Sequence, residues 1–365
     1  MAQGTLEIVF PRRPEKCSVF FGENLIDKLP LEAFSGLSYL VIVSDDVVSK
    51  LYAQKLRDRL SQATKTCLIV MQHGERSKNL LTVSKIVKKM SDLGLDRKSA
   101  VLALGGGVVG DTSGFVASIF KRGIKYFQFP TTLLAQVDSS IGGKCGVDTE
   151  WGKNQIGTFC QPAGIFITAS VLDTLPKSEI VNGLGEIVKT SIISDRTMFN
   201  EIESSPEDYF TIRKLKTLIR RTCEIKLSVV EKDELETNFR RILNYGHTIG
   251  HAIEASSDYK LSHGKSVILG MICEGWIANK LGIFDDGDYD RQLKLLSNIK
   301  DHYGIKILLN RRKILSFAML DKKITGATIR MSLPKEIGKM YSSKDGEFAV
   351  PVSKEMLVRS LDCLK

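Results

Sequence analysis

Short apolar runs alternate with segments of helical periodicity through the first half of this chain. Three of the runs have the length and the Val, Ile and Leu content of buried strands: SYLVIVS, TCLIVMQ and SAVLALGGG. Each is followed by a longer segment with the apolar spacing of a helix: VVSKLYAQKLRDRL, NLLTVSKIVKKMSDL and VVGDTSGFVASIF. Because parallel strands need long crossover connections and are covered on both faces, this order predicts an α/β fold, a parallel sheet wrapped by helices.

The strand pattern fades after Pro176. Beyond it, the main segments have helical periodicity: SEIVNGLGEIVKTSII, LKTLIRRTCEIKLSVVEKD and VILGMICEGWIANKLG. The chain has 365 residues, whereas a single core seldom grows past ~250 to 300 residues. We therefore predict two domains, an α/β domain over 1–176 and a mainly helical domain over 177–365.

The cysteines and the lack of long apolar stretches indicate a reducing compartment. Seven cysteines form no Cys-x-x-Cys pair, and their odd number favours free thiols over a disulfide framework. No stretch approaches the ~18 apolar residues of a membrane span, and the first residues lack the apolar core of a signal peptide. The sequence predicts a cytoplasmic protein with no membrane partner.

The formal net charge is +10, from 52 Lys and Arg against 42 Asp and Glu. Such a charge is compatible with nucleic acid, with an anionic ligand or with a basic surface that has no ligand. No stretch interleaves basic and aromatic residues as a single-strand binding platform does. We therefore expect no nucleic-acid partner and favour a small, multiply charged anion.

Three of the five histidines, His247, His251 and His263, fall within one short stretch. His247 and His251 are four residues apart and would share a helix face, and Asn244 and Arg240 extend that stripe backwards. The alternative is the polar outer face of an amphipathic helix. His263 follows in a loop-like SHGK, and GLGEIVK supplies a carboxylate. Histidines with a carboxylate suit a catalytic zinc-type ion. Spacing alone would choose His247 and His251 as ligands and leaves the third open.

The segment LALGGGVVGD matches G-x-G-x-x-G at Gly105, Gly107 and Gly110, between a predicted strand and a predicted helix. Such a turn lets backbone amides approach a pyrophosphate, although a tight strand-to-helix turn needs glycines without any ligand. The acid expected about twenty residues later is missing, because no Asp or Glu follows Asp111 before Asp138. A bound dinucleotide would need Asp45 or its neighbour to hold the ribose.

Taken together and in order, the motifs resemble the 3-dehydroquinate synthase family over about residues 40–330. The motifs are GGGVVGD, PTTLLAQVDSSIGGK, GKNQIG, GLGEIVK, CEIK, LNYGHTIGHAIE and HGKSV. The resemblance implies a Rossmann-like NAD-binding domain, a helical domain, a site between them and a homodimer. It also implies conversion of 3-deoxy-D-arabino-heptulosonate 7-phosphate to 3-dehydroquinate and phosphate. In that reaction NAD is reduced and then reoxidised, phosphate is eliminated, and an intramolecular aldol step closes the ring.

The resemblance also implies a role for individual residues. The ligands of Zn²⁺ or Co²⁺ would be Glu186, His247 and His263, with His251 as a substrate or proton-transfer group, which replaces the choice made from spacing. Lys189 and Asp138 would contact substrate hydroxyls. The groups facing the substrate carboxylate would be Lys144, Arg240 and Asn154. Those serving its phosphate would be Asn244, Lys226, one of Lys322 and Lys323, and Arg122 of the partner subunit. NAD would lie along Asp45, Glu75, Lys78, Gly107, Val108, Val109, Gly110, Asp111, Thr131, Thr132, Lys144, Lys153, Val171 and Thr174.

Five positions depart from the usual family pattern, namely Val47, Cys145, Asp148, Gly185 and Lys265. None of them removes a proposed catalytic group. Other functions stay open at this point. A sister sugar-phosphate cyclase would use a substrate without the carboxylate, and a polyol dehydrogenase would release NADH. A nucleotide- or nucleic-acid-binding protein without enzymatic activity is supported only by the charge.

Overall fold

The computed structural model describes residues 16–204, 211–320 and 329–365. Its first half is built on a six-stranded sheet made of β1 (Ser18–Phe21), β2 (Leu40–Asp45), β3 (Thr66–Met71), β4 (Ala100–Gly105), β5 (Lys125–Pro130) and β8 (Gly164–Ile167). The strand order across this sheet is β1-β8-β5-β4-β2-β3, and every pairing is parallel. Between β5 and β8, β6 (Lys144–Thr149) and β7 (Gly152–Phe159) form an antiparallel hairpin.

Helices cover both faces of this sheet, as the alternating pattern predicts. They are α1 (Leu25–Lys28), α2 (Gln54–Leu60), α3 (Leu80–Asp92) and α4 (Gly107–Ile119). Side chains alternate across the central strands, so Ile42 and Leu102 join one core while Val43 and Val101 join another with α3 and α4. All residues of β2 and β4 are buried. The expected parallel α/β architecture is confirmed.

The second half is mainly helical, as predicted. Its helices are α5 (Lys177–Ser194), α6 (Arg196–Ser204), α7 (Ile212–Lys232), α8 (His247–Ser256), α9 (His263–Lys280), α10 (Asp286–His302), α11 (Arg311–Leu320) and α12 (Lys354–Ser360). Four short strands pair as two antiparallel ribbons: β9 (Ile329–Met331) with β12 (Val350–Val352), and β10 (Pro334–Glu336) with β11 (Lys339–Met340). The core on the face of the sheet that α1 and α2 cover, which includes Ile42 and Leu102, continues into these helices through residues such as Ile187 and Ile249.

Glycines allow α5, α8 and α9 to pack backbone against backbone. A Cβ atom added at Gly185 of α5 would lie 2.5 Å from the carbonyl oxygen of Gly264 in α9, and one at Gly250 of α8 would lie 3.0 Å from that of Ser266. Side chains larger than hydrogen would therefore push the helices apart. This close packing brings the amino-terminal end of α9 against the middle of α5, and α8, which packs on α9, places His247 beside Glu186.

Within the described ranges, no helix is long and apolar enough to cross a membrane. All seven cysteines are described, and each has a free thiol.

Candidate active site

A cavity of about 590 Å³ lies between the glycine turn after β4, the middle of α5 and the amino-terminal ends of α8 and α9. Both halves of the chain line it, and 11 of its 27 lining residues are Asp, Glu, Lys or Arg. The residues predicted from the sequence that line the cavity are Glu75, Lys78, Gly107, Val108, Asp111, Asp138, Lys144, Lys153, Asn154, Lys189, Lys226, Arg240, Asn244, His247, His251 and His263. Residues far apart in the sequence thus meet around one space.

At the buried end of the cavity, two of the lining histidines contact Glu186, which is buried and does not itself line the cavity. Glu186 Oε1 lies 3.4 Å from His247 Nε2 and 3.3 Å from His263 Nε2. His247 Nδ1 is 3.1 Å from the carbonyl oxygen of Tyr245, which orients the ring and leaves Nε2 facing the carboxylate. The ring of His251 lies 5.1 Å from that of His247. The structure therefore brings together all four groups singled out from the sequence.

The donor set fits a metal ion. Glu186 is buried, yet its Oε1 accepts no hydrogen bond from the described residues, and a buried carboxylate oxygen without a donor is costly. Oxygen and imidazole nitrogen are ligands of Zn²⁺ and Co²⁺. One nitrogen from each of His247, His251 and His263 also lies within 4.8 Å of the others. Geometry alone thus offers two ligand triads, one with Glu186 and one with His251.

The charges around these groups favour metal-binding protonation states for Glu186 and His247, but they favour a proton on His263. Burial raises the pKa of Glu186, but Lys189 and His263 outweigh it and hold that pKa below its usual range. Burial, with the nearby Lys189 and His251, lowers the pKa of His247 far below its usual value, so this imidazole is neutral. Burial opposes the charge on His263, yet contacts with Glu186 and Glu254 raise its pKa to about 9. A cation between Glu186 and His263 would take the place of that proton.

Two local expectations from the sequence are wrong. Arg240 and Asn244 do not extend the helix of His247 and His251, because they belong to a separate 3₁₀ helix, Phe239–Asn244. Gly246, with φ +75°, turns the chain before α8 begins at His247. His263 is not in a loop, since it is the first residue of α9. The polar stripe of Arg240, Asn244, His247 and His251 thus comes from two elements rather than from one helix, and His263 comes from a third.

Cationic side chains surround the cavity and are paired with acids or carbonyls. Lys226 donates to the backbone oxygen of Asp138 at 2.6 Å and also to its carboxylate. The buried guanidinium of Arg240 donates to the carbonyl oxygen of Gly142 at 3.1 Å. Lys144 and Asn244 both donate to Glu236, and Lys189 donates to Glu186. The lining thus holds six Lys and Arg residues against five Asp and Glu, so an anionic ligand would have to displace the acids from these cations.

On the opposite wall, the glycine turn caps the amino-terminal end of α4. A Cβ atom at Gly105 would lie 2.6 Å from the side chain of Val109, and one at Gly110 would lie 2.7 Å from that of Gln128. Lys78 donates to Asp111 at 2.7 Å and to Asn154 at 2.6 Å. Backbone amides at a helix start beside a lysine suit a pyrophosphate.

Some residues predicted to bind cofactor or substrate do not line this cavity. Asp45 accepts hydrogen bonds from the backbone amides of Val47 and Val48 at 2.9 and 2.8 Å. Tyr52 is hydrogen-bonded to Thr174 at 2.6 Å. The other residues outside the lining are Val109, Gly110, Arg122, Thr131, Thr132 and Val171. Lys322 and Lys323 lie outside the described residues.

Sequence reasoning missed three acids that organise the site. Glu236 pairs with Lys144 and Asn244, and Glu254 contacts Lys153 and His263. The fully buried Glu274 accepts from the backbone amides of Gly246 at 2.7 Å and Ile249 at 2.9 Å, so it caps the start of α8. Glu254 lies three residues after His251, a spacing that places both near one face of a helix and could have identified it.

The fold and the site define a protein in which a glycine turn at a helix start faces a histidine and carboxylate cluster across a cavity lined by lysines, an arginine and acids. The family descriptions "3-dehydroquinate synthase N-terminal" and "3-dehydroquinate synthase C-terminal" match residues 68–182 and 183–324. A 3-dehydroquinate synthase of Thermodesulfovibrio yellowstonii is 42% identical over 341 residues, which cover 89% of this chain and 95% of that protein. The chain belongs to the 3-dehydroquinate synthase family.

Two solved structures are close in fold and are complexes with cofactors. A 2-deoxy-scyllo-inosose synthase complexed with carbaglucose-6-phosphate, NAD⁺ and Co²⁺ has a TM-score of 0.86 at 26% identity, over 94% of this chain and 95% of that one. The 2-epi-5-epi-valiolone synthase of Streptomyces hygroscopicus subsp. jinggangensis, with NAD⁺ and Zn²⁺ bound, has a TM-score of 0.85 at 26% identity, over 98% of each chain.

Proposed function

We propose that this protein converts 3-deoxy-D-arabino-heptulosonate 7-phosphate to 3-dehydroquinate and phosphate, as an NAD- and metal-dependent carbon–oxygen lyase. The observation that carries the proposal is the contact of Glu186 with His247 and His263, two histidines that line one cavity with several lysines and an arginine. Similarity to 3-dehydroquinate synthases supports this substrate. The substrate has a carboxylate and a phosphate, which lysine and arginine side chains of the lining can bind.

Glu186, His247 and His263 would hold Zn²⁺ or Co²⁺. We prefer this triad because Glu186 Oε1 has no other donor and faces both imidazoles. NAD would lie against Gly107, Val108 and the Lys78–Asp111 pair, at the amino-terminal end of α4. When bound, the metal makes substrate hydroxyls more acidic, and NAD accepts and returns a hydride. The metal- and NAD-bound neighbours support this pair of cofactors.

The protein's own side chains orient the substrate. Arg240 and Lys144, with Asn154, would bind the carboxylate, and Lys226 and Asn244 would bind the phosphate. In the structure, the partners of these cations are Asp138, Glu236 and backbone carbonyls, which the substrate anions would replace. Lys189 and Asp138 would hold substrate hydroxyls. His251 would carry a proton at a ring nitrogen, next to His247.

The test is an assay of phosphate and 3-dehydroquinate with NAD and zinc, with absorbance recording NADH. Equal amounts of phosphate and dehydroquinate without accumulation of NADH would support the proposal. Steady production of NADH from polyols would favour a dehydrogenase. The two structural neighbours bring a second candidate, a sister cyclase. This alternative is tested with a sugar phosphate that lacks the carboxylate, which should react only if the alternative is correct.

We further propose a homodimer in the cytoplasm, with its two domains divided near residue 177. The free thiols support a reducing compartment. The start of α5 at Lys177 supports the boundary. The exposure of Arg122 supports the dimer. Arg122 is a predicted phosphate ligand but lies outside the cavity of its own subunit, so it could serve the cavity of a second subunit.

A further inference from the structure

The two carboxylate oxygens of Glu254 contact partners from different halves of the chain. The residue lies in α8, one turn after His251, and is buried. Its Oε1 accepts a hydrogen bond from Lys153 Nζ at 2.8 Å. Its Oε2 lies 3.5 Å from His263 Nδ1, the ring nitrogen that faces away from Glu186. Glu254 therefore lies between the β6–β7 hairpin and the metal-binding cluster.

The arrangement fixes which nitrogen of His263 carries a proton. A carboxylate only accepts hydrogen bonds, so Oε2 favours a proton on Nδ1, and Nε2, which faces Glu186, is then the nitrogen whose proton a metal ion would replace. A metal ligand needs the lone pair that this exchange leaves on Nε2. Lys153, whose ammonium also lies 4.3 Å from the ring centroid of Tyr259, holds the other oxygen. The hydrogen bond from Lys153 therefore orients the carboxylate of Glu254.

We propose that Lys153, on the β6–β7 hairpin, and Glu254 are positioning residues that together set the affinity of His263 for the metal ion. We call this pair the relay. The proposal rests on the proposed metal site. Neither residue belongs to the proposed metal triad, and both act through His263. A cofactor that binds Lys153 changes the metal affinity, and by linkage the metal changes the affinity for that cofactor by the same factor.

Glu254→Gln separates the two roles of the carboxylate without changing its size. If the glutamine oxygen accepts from Lys153, its NH₂ group faces His263 Nδ1 and favours the wrong tautomer. If the oxygen faces His263, the NH₂ group confronts the lysine ammonium. Either orientation disrupts one contact, so the variant should bind zinc 10- to 100-fold more weakly, as is typical when a partner of a ligating histidine is removed.

The experiment titrates zinc into metal-free protein against a chromophoric chelator, without NAD or substrate. Lys153→Met should weaken zinc binding about 3- to 10-fold, because Glu254 stays but loses its anchor. The double variant should bind zinc no more weakly than Glu254→Gln alone, since both residues act through one histidine. The matched control is Glu150→Gln, which removes an exposed carboxylate from the same hairpin. It should change zinc affinity less than twofold.

The relay would be overturned if Glu254→Gln and Lys153→Met both bind zinc within twofold of the parent protein. It would also be overturned if the losses of zinc affinity add in the double variant. His263→Ala tests the underlying site separately: if it binds zinc as the parent does, the metal site itself is wrong. A loss of zinc with His263→Ala and none with Glu254→Gln overturns only the relay. Thermal unfolding of each metal-free variant verifies folding. If Glu254→Gln does not fold, Lys153→Met, at a lysine whose side chain is 33% exposed, still tests the relay.

Discussion

The metal-binding cluster and the β6–β7 hairpin line the same cavity but are built in different ways. Glu186 lies on a helix that packs backbone against backbone, and its side chain is 2% exposed. Lys144 and Lys153 lie on a two-stranded ribbon, with side chains 54% and 33% exposed. The geometry of the cluster is therefore fixed before a ligand arrives, whereas the hairpin cations can change partners. We therefore expect substitutions in the cluster to lower activity more than substitutions on the hairpin.

The largest expected effect is the loss of a metal ligand. His263→Ala should abolish stoichiometric zinc and lower the rate of dehydroquinate formation by more than about 10³-fold, because no other described group replaces its Nε2 beside Glu186. His251→Ala should keep its zinc and lose activity through proton transfer, by about 10²- to 10⁴-fold. Metal analysis after gel filtration measures the difference. The reverse pattern would replace His263 with His251 in the ligand set.

Next in size is the buried guanidinium of Arg240. Arg240→Ala should raise the barrier for the carboxylated substrate by ~2 to 4 kcal/mol, because this group would align the substrate through placement as well as charge. Lys144→Ala, at an exposed position, should cost only about 1 kcal/mol. Values of kcat/KM for both variants give the comparison. If a carboxylate-free analogue loses as much as the substrate with Arg240→Ala, then Arg240 does not bind the carboxylate.

Close helix packing should be visible in stability. Gly264→Ala places a Cβ against the backbone of Asn182, with its carbonyl carbon at 2.7 Å, and should lower the free energy of unfolding by about 1 to 3 kcal/mol. The control is Gly287→Ala in α10, where the nearest atom would be 3.4 Å away. Urea unfolding should show that variant unchanged or slightly more stable. Equal stability of the two variants would mean that α5 and α9 separate at little cost.

The sequence was sufficient for the sheet but only partly for the site. β2, β3 and β4 follow from local apolar runs, although only β2 and β4 are buried throughout, because β3 lies at the edge of the sheet. The separation of Arg240 from His247 depends on Gly246 and on the cap from Glu274, which lies 28 residues further along the chain. No local pattern shows such a contact. The resemblance to a family could place Glu186 with His247 and His263, but it left Glu236 and Glu254 unnoticed.

The smallest expected effect concerns the loop that carries Glu236 and Arg240. Burial disfavours the charge on Asp233, but hydrogen bonds from the backbone amides of Asn238, Arg240 and Thr237 lower its pKa to about 2. Since the unfolded carboxyl titrates near 3.8, the stabilisation is complete above that pH and disappears as pH falls towards 2.

Asp233→Asn should thus lower the free energy of unfolding by about 1 to 2 kcal/mol at neutral pH and by progressively less between pH 4 and 2. Urea unfolding of the parent and the variant across this pH range measures the size and the sign of the difference in unfolding free energy. A difference that stays constant down to pH 2 would show that the carboxylate charge does not hold this loop. In that case Arg240 is positioned by its own contact with Gly142, and it belongs with the preformed cluster rather than with the adaptable cations of the hairpin.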